Sequence, residues 1–366
     1  MAPTETAKGL KSLFGSCPPL PTRAPKVLCR YKLVKAGDDD MFSPSGGSSS
    51  DNRLDQMDHW SLHLSFDEVS MKYRNFSKFD IPTNEWTKTI QREWKILKKD
   101  LPDTIYVRVY ESRIDLLRAV IKGAKGTPYH DGLFFFDIHF PQNYPDEPPK
   151  VYYHSGGLRI NPNLYKNGKV CLSLLNTWYG ADNERWIPGE STMLQVLVSI
   201  QGLILNEKPY FNEPGYEKTR GSHHGENQSS QYNEYTLIYS LTTMVYTMKK
   251  PPKNFEDLVI GYFRDHAHRI LSTCKAYSKG VRFGCAIDSG DEETASEWFK
   301  SYVERYMKTL IAAFKEVGAE SLDEFMPPTL TRSKDKSFYH HSKQFCRIFC
   351  FATLSLALLS SRKMMS

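Results

Sequence analysis

Apolar residues recur along this chain with two distinct periods, and the change of period marks out the elements. Trp86, Ile90, Trp94 and Leu97 fall at near-helical spacing behind Thr83 or Asn84 as a cap, which predicts an amphipathic helix starting near Pro82. Arg92, Lys95, Lys98 and Lys99 occupy the rest of its surface. From Thr104 the texture becomes β-like: residues 105–110 and 116–121 are short β-rich runs. Residues 133–140 alternate, with Phe134, Phe136, Ile138 and Phe140 on one side, as in a half-buried strand. Residues 151–153 make a fourth strand. Turns at 123–128 and 141–149 are too short for parallel crossovers, so the strands form an antiparallel meander. Residues 155–190 show no regular period. Helices return with Ser191 as a cap before Met193, Leu197, Ile200 and Ile204, then at 232–248, stopped by Pro251 and Pro252. Asn254 caps a third, whose stripe is Leu258, Tyr262, His266 and Ile270, and a last helix covers about 292–317, ending at Gly318. Helix, four strands, irregular loop and several helices make an α+β arrangement.

The two ends differ from this middle. Pro, Gly and Ser clusters such as PSGGSSSDN at 44–52 predict a disordered arm over 1–81, within which the apolar run 27–34 is either a docking peptide or ordinary tail. Residues 348–359 are twelve uncharged residues, IFCFATLSLALL. A bilayer of about 30 Å takes roughly 20 residues to span, so this segment reads as a buried helix or an interfacial tail before it reads as an anchor. The mean hydropathy of −0.51 with 25% charged residues argues against a multispan membrane protein. A net charge of +6, from 48 Lys and Arg against 42 Asp and Glu, suits an acidic protein partner better than nucleic acid. Seven scattered cysteines and the lack of an apolar leader stretch point to a reducing compartment, cytosol or nucleus.

Chemistry concentrates in the irregular loop that runs from Asn161 to Cys171, NPNLYKNGKVC. Cys171 sits among polar and turn-forming residues and lacks a CxxC partner, which separates it from metal and redox motifs. His266, His268, Cys274 and Cys285 have irregular spacing for zinc, and His223-His224 reads as loop.

At these residues the chain resembles the catalytic domain of the ubiquitin-conjugating enzymes (the UBC fold). The likeness runs through GTPYHDGLFFFDIHFP, YPDEPPKV, NPNLYKNGKVCLSLL and LQVLVSIQGLI, and covers about 82–280 as a core domain, with 281–366 left as a helical extension and apolar tail. NTWYGADNERW and PYFNEPGY resemble the large plant-type and hybrid conjugating-enzyme/ligase branch. The resemblance implies thioester chemistry, in which Cys171 accepts the ubiquitin C-terminus from the activating enzyme and passes it to a substrate lysine. No cofactor or metal is implied, since ATP is used upstream by another protein. Asn163, eight residues before Cys171, would bond the developing oxyanion or hold the loop that does so. The family's His-Pro-Asn reads Asn161-Pro162-Asn163 here, and Asn161 would take over the bracing of the loop. Glu213 stands where an acidic residue orients or deprotonates the lysine, or is a plain surface carboxylate. Asp146 replaces an apolar ligase contact, leaving a ligase with a basic group or none; Trp178 and Trp186 form another docking face or are buried packing. The basic face of Arg92, Lys95, Lys98 and Lys99 would meet the activating enzyme. Two other readings of the fold are an inactive ubiquitin-binding adaptor and a carrier of a ubiquitin-like modifier.

Overall fold

The computed structural model describes residues 31–34, 83–110, 113–178, 180–281 and 295–327. The first helix, α1 (Asn84–Asp100), starts where the Thr83 side chain accepts the Trp86 N–H at 3.2 Å. It buries Trp86, Ile90, Glu93 and Leu97 and leaves Arg92, Lys95, Lys98 and Lys99 exposed.

The sheet runs β1 (Tyr31–Val34), β2 (Ile105–Tyr110), β3 (Arg113–Lys122), β4 (Leu133–His139) and β5 (Lys150–Tyr153), neighbours in that order. β2 to β5 form the expected antiparallel meander. β1 is an addition: these four residues, in the arm expected to be disordered, pair parallel to β2. An edge strand offers a row of unpaired N–H and C=O groups, a template for an extended segment within reach.

A second correction concerns β4, which is buried on both faces. Phe134, Phe136 and Ile138 pack with α1 and with α2 (Met193–Ser199), while Leu133 and Phe135 enter a second core built by α3 (His223–Lys249), α4 (Glu256–Ser278) and α5 (Glu297–Glu316). α5, which lies past the expected boundary at 280, packs with α3 and α4 over the same sheet face. Charge on that face is paired: Arg118 holds Asp137 with bonds of 2.5 and 3.1 Å, and His154 stands 2.8 Å from the same carboxylate.

Helix starts moved by the chemistry of their caps. Thr192, not Ser191, caps α2 through a reciprocal box with Gln195, and the Ser191 hydroxyl accepts the Ile187 N–H instead. α3 begins at His223 behind Ser222, so His223-His224 is its first turn and not loop. Asn254 does not cap α4; it adopts a left-handed backbone (φ 66°) one residue earlier. α5 starts behind Ser296, and Gly318 ends it at φ 85°. No helix among the described residues is long and apolar enough to cross a membrane. The apolar stretch 348–359 and Cys17, Cys29, Cys285, Cys346 and Cys350 lie outside the described residues.

Candidate active site

The loop after β5 folds back on itself. Leu164 bridges to Val170, the Cys171 N–H donates to the Asn163 carbonyl at 2.9 Å, and the Asn163 amide returns a bond to the Cys171 carbonyl at 2.9 Å. Gly168 makes the reversal possible: its φ is 88°, and a Cβ there would stand 2.1 Å from the Tyr152 ring. This reciprocal pair fixes Asn163 against Cys171 across the eight-residue spacing noted in the sequence.

Asn161 supports the pair from beneath and is completely buried. Its Oδ1 accepts the Asn163 N–H at 2.8 Å, and its Nδ2 donates to the Tyr129 hydroxyl at 2.8 Å and the Ile204 carbonyl at 2.7 Å. Ile204 ends the wide turn (Ile200–Ile204) that extends α2, where carbonyls have no partner within the helix. The same carbonyl accepts the Asn212 amide at 3.2 Å, and Asn212 in turn accepts Asn206 at 2.7 Å. Side-chain amides thus tie the Cys171 loop, the end of α2 and the segment carrying Glu213 into one network. The bracing expected of Asn161 is what it does.

Around the thiol stand Tyr165, Arg159, Lys169 and Glu213. Cys171 is 2% exposed, and the Tyr165 phenol is among the groups that act on its sulfur. Burial pushes the Cys171 thiol up; Lys169, the Tyr165 hydroxyl and Arg159 pull it back, and Glu213 opposes them. Burial also pushes Glu213 up, against the Arg159 guanidinium 3.7 Å from its carboxylate. Arg159 lies 4.7 Å over the Tyr165 ring and donates to the Pro162 carbonyl at 3.2 Å. Glu213 follows a short turn, Pro209–Asn212, seated on the aromatic cluster of Tyr210, Phe211, Tyr216 and Tyr232. It is therefore a shielded carboxylate beside the thiol and not a plain surface one.

All three predicted residues, Cys171, Asn163 and Glu213, come together. Arg159, Tyr165 and Tyr129 escaped the sequence reading because a loop has no periodicity to single out a polar side chain. Glu93 escaped it too: set among Ile90 and Leu97, this buried carboxylate accepts the Tyr144 hydroxyl at 2.6 Å and the Met193 N–H at 3.0 Å, at the positive end of α2. Trp186 is buried, packs tilted against Tyr144 with ring centroids 5.5 Å apart and donates to the Pro145 carbonyl, so it is packing and not a docking face. Asp146 is exposed. Among the described residues no group of His, Cys, Asp and Glu is arranged to hold a metal.

A family model described as ubiquitin-conjugating enzyme matches residues 89–238. The probable ubiquitin-conjugating enzyme E2 25 of Arabidopsis thaliana is 60% identical over 273 residues, covering 69% of this chain and 45% of that protein. The putative ubiquitin-conjugating enzyme E2 38 of the same plant is 52% identical over 261 residues, covering 70% of this chain and 80% of that protein. The human dual E2 ubiquitin-conjugating enzyme/E3 ubiquitin-protein ligase BIRC6 is 40% identical over 186 residues, 49% of this chain and 4% of that protein. This chain spans less than half the length of the first and third relatives and four-fifths of the second. Plant enzymes and a conjugating-enzyme/ligase hybrid are the relatives that the Trp-rich and PYFNEPGY stretches pointed to. An α+β core of this order, with most of E2 38 covered at that identity, leads to one conclusion: the chain belongs to the ubiquitin-conjugating enzyme family.

Proposed function

We propose that Cys171 accepts the ubiquitin C-terminus from the activating enzyme as a thioester and transfers it to a lysine amine of a protein substrate. The observation that carries this reading is the reciprocal bonding of Asn163 and Cys171, with Tyr165 and Glu213 beside the thiol. In charging, Sγ attacks the carbonyl of the incoming thioester, its proton passes to the departing thiolate, and one thioester replaces another. In transfer, Glu213 takes a proton from the lysine ammonium, the freed amine nitrogen bonds to the carbonyl carbon, the C–Sγ bond breaks with its electron pair on sulfur, and the second proton of the nitrogen passes to that thiolate, leaving an amide and the Cys171 thiol. The charges of Lys169 and Arg159 favour the thiolate as it leaves. In the resting site the Asn163 amide is engaged with the Cys171 carbonyl, so it braces the loop first and reaches an oxyanion only by leaving that bond.

The exposed Arg92, Lys95, Lys98 and Lys99 supply a positive face for an acidic activating enzyme, raising encounter rate more than affinity. Exposed Asp146 suits a ligase that presents a basic group. Free thiols at Cys171 and Cys274 accord with cytosol or nucleus. The test is incubation with activating enzyme, ATP and ubiquitin, comparing reducing and non-reducing gels. A thiol-labile adduct that disappears in Cys171→Ala is expected. An adduct persisting in Cys171→Ala refutes the assignment, and no adduct in the folded wild type redirects it to a ubiquitin-like modifier or an adaptor.

A further inference from the structure

Arg159 does no bond-making in this scheme, yet it touches three parts of the site at once. It donates to the Pro162 carbonyl, covers the Tyr165 ring, and lies 3.7 Å from the Glu213 carboxylate. The two charged side chains are only 15% and 13% exposed, so neither is solvated well enough to stand alone. The groups that act on Glu213 are Arg159, the Cys171 thiol and the hydroxyls of Tyr165, Tyr216 and Tyr232. Arg159 is the one cation among them.

On the thioester reading above, we infer that Arg159 is the positioning residue of the transfer step: it holds the Glu213 carboxylate ionised near Cys171. Lysine arrives as an ammonium and must lose a proton before its lone pair can attack. Burial drives Glu213 toward the neutral acid, a form that cannot take that proton, and the guanidinium opposes this. Removing Arg159 therefore raises the pH at which Glu213 becomes a base.

The experiment reads discharge of preformed thioester, normalised to the adduct present, for wild type, Arg159→Gln and Arg159→Lys from acid to mildly alkaline pH. Two acceptors are used: free lysine, and hydroxylamine, which is unprotonated near neutrality and needs no base. Arg159→Gln is expected to slow discharge to lysine by about tenfold or more near neutral pH, since general-base catalysis contributes about 10²–10⁴. The acid limb of its lysine profile moves to higher pH, while hydroxylamine discharge changes far less. Arg159→Lys, which keeps the charge but not the planar stack, keeps the wild-type limb. Equal slowing with both acceptors and an unmoved limb, unchanged lysine discharge, or a shifted limb in Arg159→Lys each overturns the inference. If Arg159→Gln fails to charge, Arg159→Lys alone decides it by the position of its limb. Failure of the wild type to charge overturns the thioester reading itself, and this inference with it; a charging wild type with an indifferent Arg159→Gln overturns this inference only.

Discussion

Replacing Asn161 by alanine separates bracing from catalysis, and its cost follows from the groups left behind. The buried Asn163 N–H loses its acceptor outright, which costs about 1–3 kcal/mol for an unsatisfied buried donor. The Ile204 carbonyl keeps the Asn212 amide and the Tyr129 hydroxyl keeps its bond to the Ile160 carbonyl, so each forfeits only an ordinary bond of about 1 kcal/mol. The sum is about 3–5 kcal/mol, a large part of the roughly 5–15 kcal/mol that holds a domain folded. Urea unfolding followed by circular dichroism measures it as a shift of midpoint at constant slope. Because Asn163 loses its anchor, discharge of the thioester also slows, in the same direction as in Asn163→Ala. A loss below about 1 kcal/mol, or discharge at the wild-type rate, would refute the reasoning, because the amide network would then support neither the fold nor the loop.

Cys274→Ser should charge like wild type: the Cys274 thiol is buried in the helical core and pushed up to about 12, far from any thiolate at neutral pH, so loss of charging with the fold intact would contradict the choice of nucleophile. Burial alone would raise Asp137, but His154 and Arg118 hold its carboxyl well below the usual range. Its contribution to stability is therefore whole above about pH 4 and is lost as pH falls toward the native value. Asp137→Asn should flatten that acid limb of urea midpoint against pH and cost about 3–5 kcal/mol at pH 7, because Arg118 is left buried without its anion; an unchanged limb counts against the pairing. Gly168→Ala should destabilise by about 1–2 kcal/mol from its left-handed backbone alone, and more as the new methyl displaces Tyr152, measured by the same unfolding assay; a midpoint at the wild-type value would contradict the turn described here.

Local patterning made most of this protein legible. The 3.6-residue recurrence of Trp86, Ile90 and Leu97 and the alternation in β4 located elements without any partner being known, because each period belongs to one backbone geometry. The polar, turn-forming loop around Cys171 and its lack of a CxxC partner singled out the thiol, and the family resemblance supplied Asn163, which the tight loop brings against it. What the pattern could not decide was what covers each face. The second face of β4, the polar start of α3 at His223 and the packing of α5 depend on elements far along the chain. Caps shifted by a residue because Ser191 and Thr192 compete for neighbouring backbone groups, and geometry settles the contest. Arg159, Tyr165 and Tyr129 became part of the site through contacts that follow no period. A side chain's role in a loop is set by the charges and carbonyls that folding places beside it. Sequence determined the elements and singled out a candidate thiol; only tertiary structure placed a cation, a phenol and a shielded carboxylate in its neighbourhood.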